Sequence, residues 1–100
     1  METFQQLING DTPVLVDFYA DWCGPCKAME PTIKEVAKTI SGKARVIKLD
    51  IDRNQPTANT YHVSAVPTFI LFRNGKELWR HPGMIDKAKL LSVLTQFSNS

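Results

Sequence analysis

Cysteine is scarce in this chain, with two in 100 residues, which excludes a small secreted scaffold held by several disulfides. Histidine is equally scarce: His62 and His81 are the only two, and neither has knuckle spacing to the other or to the cysteines. No apolar run approaches the roughly 18 residues that a membrane-spanning helix needs. The opening Met1-Glu2-Thr3-Phe4-Gln5-Gln6 lacks the basic and then apolar run of a signal peptide, so a cytoplasmic chain is expected. Charge of one sign is also lacking. Twelve basic residues against ten acidic ones leave a net charge of +2, too little to argue for nucleic acid or an anionic membrane as partner. Linkers, internal repeats and low-complexity segments are absent, so residues 1–100 read as a single domain. Apolar residues make up 43% of the chain, enough to fill one core without a staple or a metal.

The apolar spacing predicts an α/β protein. Thr3 to Ile8 has the pattern of a short helix, ended by Asn9-Gly10-Asp11. Pro13 to Tyr19 is a continuous run rich in β-formers and reads as a central strand covered on both faces. A helix follows, with Met29, Ile33, Val36, Ala37 and Ile40 on one side, Pro25 in its first turn and Gly42 closing it. Pro31 falls inside this helix and is expected to kink it. Arg45 to Ile51 reads as a second strand, parallel to the first through a right-handed crossover. After a short helix over Gln55 to Tyr61, Asn74-Gly75 joins Pro67–Arg73 and Glu77–Arg80 as a hairpin. Asp86 looks like the N-cap of a last helix whose Leu90, Leu91, Val93, Leu94 and Phe97 form an apolar stripe. The expectation is one central mixed sheet of four strands, or five if the first residues pair irregularly, with helices on both faces.

The two cysteines, Cys23 and Cys26, sit together in Cys23-Gly24-Pro25-Cys26, directly after the buried strand and at the start of a helix. A disulfide between them closes a very short loop and constrains the unfolded chain little, so it makes a poor staple. A helix start offers free N–H groups and a partial positive charge, both of which favour a thiolate. Cys23 is expected to be outermost and reactive, with Cys26 shielded inside the first turn. Gly24-Pro25 brings no cationic histidine between the sulfurs and removes one N–H that could stabilise a thiolate. That composition favours a reducing pair. Half of a zinc site would need two further ligands, and a haem attachment would need histidine where Lys27 stands.

The stretch Val14 to Lys27, containing Trp22-Cys23-Gly24-Pro25-Cys26, closely resembles the active-site signature of the thioredoxin family. The similarity continues through Pro31, Lys48-Leu49-Asp50-Ile51-Asp52, Val66-Pro67-Thr68, Phe72-Arg73-Asn74-Gly75 and Gly83. The resemblance implies a thioredoxin fold and a thiol-disulfide oxidoreductase that reduces protein disulfides, with Cys23 as nucleophile and Cys26 as resolving thiol. Asp17 matches the family's buried carboxylate. An acid in an apolar strand is costly to ionise, so a raised pKa is expected of it on physical grounds as well. Lys48 matches the lysine near that carboxylate, and Pro67 matches the family's cis proline. Trp22, Gly24, Pro25, Val66, Pro67 and Gly83 would then form the substrate-docking surface. The resemblance further implies protein disulfides as substrates, a flavin- and NADPH-dependent thioredoxin reductase as electron source, no bound cofactor and a monomer.

Some residues depart from the family pattern. Only Met1 to Asp11 precede the central strand, which leaves Arg45–Ile51 as an expected exposed edge blunted by Lys43, Arg45 and Lys48. Tyr19 stands where many relatives carry tryptophan, and Met29 is expected to be partly exposed near the site. Blander readings remain open beside these. Asp17 could be a structural acid paired with Lys48, the histidines could be plain surface residues, and Gly83 could be a turn glycine without substrate contact. The whole domain could act as a binding module through the same apolar surface.

Overall fold

The computed structural model describes residues 2–98. Helix α1 (Phe4–Ile8) is started by a capping box. Thr3 Oγ1 accepts from Gln6 N–H at 3.2 Å, and Gln6 Oε1 accepts from Thr3 N–H at 2.8 Å. Strand β1 (Val14–Tyr19) leads into helix α2 (Gly24–Thr39), then strand β2 (Arg45–Asp50) and helix α3 (Gln55–Thr60). Strands β3 (Thr68–Arg73) and β4 (Lys76–Pro82) form the hairpin, and helix α4 (Lys87–Ser98) follows. Its N-cap is Asp86, whose Oδ1 accepts from Lys89 N–H at 2.8 Å.

The described residues form one four-stranded sheet in the order β2-β1-β3-β4. β1 pairs parallel with β2 and antiparallel with β3, so the apolar strand lies inside and the charged β2 takes an edge. Successive residues of β1 point to opposite faces. Val14, Val16 and Phe18 pack with Ile8, Ile70 and Phe72 on one face. Leu15 packs with Met29, Ile33, Val36, Leu71, Leu90 and Leu94 on the other, beneath α2 and α4. Asp17 belongs by alternation to this second face, opposite Lys48 in the parallel register and Phe69 in the antiparallel one.

The hairpin turn has φ of 54° at Asn74 and 77° at Gly75, the left-handed pair that a two-residue loop requires. β4 runs further than expected, to Pro82, because a bulge between Leu71 and Phe72 takes up one residue and lets pairing resume through Trp79 and His81. Proline ends it tolerably, since an edge strand has no need of that N–H. Met29 corrects another expectation. It retains 3% of its surface and sits in the core under α2, because its position one turn after Cys26 faces the sheet.

Candidate functional site

Helix α2 positions the dithiol. Cys23 is its N-cap, in extended conformation, with its Sγ accepting from Cys26 N–H at 3.1 Å. Its carbonyl receives Lys27 N–H at 3.2 Å, which closes the first turn. Pro25 occupies that turn, where an N–H would have no helical partner. Cys23 and Cys26 are joined as a disulfide. The expected contrast in exposure is not observed: Cys23 retains 3% of its surface and Cys26 7%. Both pack in one cluster with Ala20, against Tyr19, Ile51 and Val66. The asymmetry between the sulfurs is therefore electrical. Cys23 Sγ receives a main-chain N–H at the positive end of a helix, the placement that stabilises a thiolate.

Asp17 is buried, and its Oδ1 has no hydrogen-bond partner. Burial pushes its pKa from 3.8 up to about 6, against the pull of Lys48 and with a smaller push from Glu30. Lys48 faces Asp17 in register but makes no ion pair with it within 4 Å. Its ammonium lies 4.3 Å from the centre of the Tyr19 ring. The fold thus gives Asp17 neither an ion pair with Lys48 nor a protein partner at Oδ1. Tyr19, half-buried, links the two groups by packing against the cysteine cluster while holding Lys48 over its ring.

The residues expected to form a docking surface lie on three further segments. The Val66-Pro67 peptide is cis, Val66 packs on the cysteine cluster, and Thr68 Oγ1 donates to Ala65 O at 2.7 Å. Gly83 N–H donates to Pro67 O at 2.7 Å and so joins the β4–α4 loop to the proline loop. Gly83 has φ +90°, a conformation that a side chain resists, although a Cβ there would meet open space. Trp22 is 68% exposed, and its indole N–H donates to Asp52 Oδ2 at 2.9 Å. Gly24 and Pro25 are exposed beside it, whereas Pro67 is buried.

Two features near these residues were not legible in the sequence. Asp52 orients Trp22, and Met84, next to Gly83, is 54% exposed. The available signal for Met84 was a large apolar residue in a loop, outside the stripe of either flanking element. His81 is half-buried: its ring stacks on Trp79 and its Nε2 lies 3.0 Å from Met84 O. His62 is exposed, with φ of 56°. Among the described residues, no three or more His, Cys, Asp or Glu side chains are grouped to hold a metal ion, and no helix is long and apolar enough to cross a membrane.

The thioredoxin family profile matches residues 1–96. The chain belongs to the thioredoxin family. It is 42% identical over 92 residues to a thioredoxin of Rickettsia conorii, covering 92% of this chain and 88% of that one. It is 43% identical to a thioredoxin of Pseudomonas aeruginosa, over 90% of this chain and 83% of that one. Among solved structures, a mutant thioredoxin from Halobacterium salinarum superposes with a TM-score of 0.85 at 36% identity, over 98% of this chain and 88% of that one. Within this thioredoxin fold the adjacent cysteine pair makes the chain a protein-disulfide oxidoreductase, working by thiol-disulfide exchange on protein substrates.

Proposed function

We propose that the chain runs this exchange as a reductant, with Cys23 attacking, Cys26 resolving and Asp17 carrying the resolving proton. The observation that carries this reading is Cys23 as N-cap, its sulfur receiving the Cys26 N–H at a helix start. The Cys23 thiolate attacks one sulfur of a substrate disulfide, and the substrate's other sulfur leaves as a thiolate and takes a proton from water. The Cys26 thiol gives its proton to the Asp17 carboxylate through water. Its thiolate then attacks Cys23 Sγ, which releases the second substrate sulfur as a thiolate that takes a proton from water, and leaves Cys23–Cys26 oxidised. Two electrons have passed to the substrate. A carboxyl with a pKa of about 6 suits this task, being ionised at neutral pH yet basic enough to accept a proton.

In this reading an extended substrate segment lies along the Val66 backbone, bordered by Trp22, Gly24, Pro25, Pro67, Gly83 and Met84. Lys48 supports the Asp17 carboxylate electrostatically. The single domain works as a monomer in the cytoplasm, where a flavin- and NADPH-dependent thioredoxin reductase returns the electrons. The test is reduction of insulin disulfides with dithiothreitol as electron source. Acceleration well above dithiothreitol alone is expected, and none would overturn the proposal. Cys26→Ser is expected to accumulate mixed disulfides at Cys23, detectable by mass spectrometry.

A further inference from the structure

A cavity of about 50 Å³ adjoins Asp17. Its lining is Asp17 and Ile33, which are buried, with Glu30, Lys34 and Lys48, which are exposed. The space is sufficient for a water molecule beside Asp17, whose buried Oδ1 lacks any protein partner. The groups around Asp17 can be taken element by element. From β2 comes Lys48, and from β1 itself the Tyr19 ring beneath the Lys48 ammonium. From β3 comes only the apolar Phe69. Helix α2 contributes Lys34 and Glu30, and Glu30 lies one turn after Cys26 on the same helical face. Lys87 of α4 is engaged with Glu35 at 2.9 Å. Among the described residues, Glu30 is therefore the one acidic side chain on a rim that otherwise carries two lysines.

We propose that Glu30 is a positioning residue for Asp17: its carboxylate, at the rim of the cavity, sets the pH at which the buried carboxyl exchanges its proton with solvent. Two lysines alone would favour the Asp17 carboxylate and weaken it as a base. A negative charge across the same cavity opposes them and holds the proton more tightly. Glu30 has no ion pair within 4 Å among the described residues, so its charge is not neutralised locally. Helix α2 thereby carries both the resolving thiol and, one turn later, the group that tunes its proton acceptor. The push of Glu30 on the Asp17 pKa has the direction this requires.

The inference rests on the proton-carrier reading of Asp17, and the test separates the two. The Asp17 carboxyl is titrated by carbon-13 NMR in the reduced protein, alongside the pH profile of mixed-disulfide resolution. Glu30→Gln keeps the size and helix preference of the side chain and removes its charge. It is expected to lower the Asp17 midpoint by about half a pH unit, and Glu30→Lys by about twice that. The inflection in the resolution profile should move with it. An Asp17 midpoint unchanged in both variants overturns the role of Glu30. If Asp17→Asn keeps the inflection, the proton-carrier reading fails instead, while the carboxyl titration still decides whether Glu30 tunes Asp17.

Discussion

Asp17 shows how a single side chain is read at two depths. Its presence in the run Val14-Leu15-Val16-Asp17-Phe18 already implies an acid that is hard to ionise. Only the fold shows that Oδ1 is left without a partner and that Lys48 turns to Tyr19 instead of pairing with it. The consequence for stability has a definite sign. A carboxyl raised from 3.8 to about 6 binds its proton more tightly in the folded chain than in the unfolded one. Its favourable contribution is complete below about pH 4 and is lost as pH rises through about 6, at a cost of about 3 kcal/mol. Asp17→Asn is therefore expected to be more stable than the native chain at pH 7.5, by about 1 to 3 kcal/mol, with the difference shrinking toward pH 4. Urea unfolding at the two pH values checks this; a gain that stays constant with pH would contradict it. The cysteines were legible because their chemistry lies in spacing and helix position, whereas their similar burial was not, since it depends on Val66 and Ile51 from distant segments. Glu30 was invisible for the same reason. In sequence it resembles any solvated helix acid, and only α2 lying across β1 and β2 brings it over Asp17.

At the scale of elements, most of the fold was readable because each segment states its own periodicity. The apolar run of β1, the stripe of α4 and the Asn74-Gly75 turn all formed as expected. The length of β4 was hidden by the bulge, since an extra residue breaks the alternation that announces a strand. The turn also does more than join two strands. Asn74 N–H donates to Gly10 O and Gly75 N–H to Ile8 O, each at 2.9 Å, so the hairpin tip anchors the segment after α1. A Cβ at Gly75 would lie 3.1 Å from Asn9 Oδ1, at φ +77°. Gly75→Ala is expected to cost about 1 kcal/mol or more in thermal or urea unfolding, with insulin reduction unchanged at temperatures where the variant is folded. Arg80 ties the same hairpin to the far side of the proline loop, donating to Tyr61 O at 2.6 Å and pairing with Glu77 at 2.8 Å. Arg80→Ala is expected to speed hydrogen exchange over residues 63–65, which lead to Val66, and to lower stability by about 1 kcal/mol. Unaltered exchange there would show that the loop is held by Val66 and Pro67 alone.

For the whole molecule, the sheet buries apolar side chains on both faces and, among the described residues, leaves two large ones in the open, Trp22 and Met84. Trp22 adjoins Cys23 in the chain, and Met84 adjoins Gly83, whose N–H donates to Pro67 O. Met84→Ser is expected to raise KM for a protein disulfide by about threefold to tenfold and to leave the rate with a small aromatic disulfide unchanged. Equal losses with both substrates would mean that Met84 acts on the cysteines and not on docking. The three-residue spacing of Cys23 and Cys26 has a last consequence. The sulfurs stay neighbours when the chain unfolds, whereas Asp17, Val66 and Gly83 scatter. A denatured copy can still open and close the ring, but it does so with any disulfide it meets. Nearness of the two thiols is written in the primary structure; the choice of partner and the timing of the proton exist only in the folded chain. Folding is thus a restraint on this chemistry as much as its source.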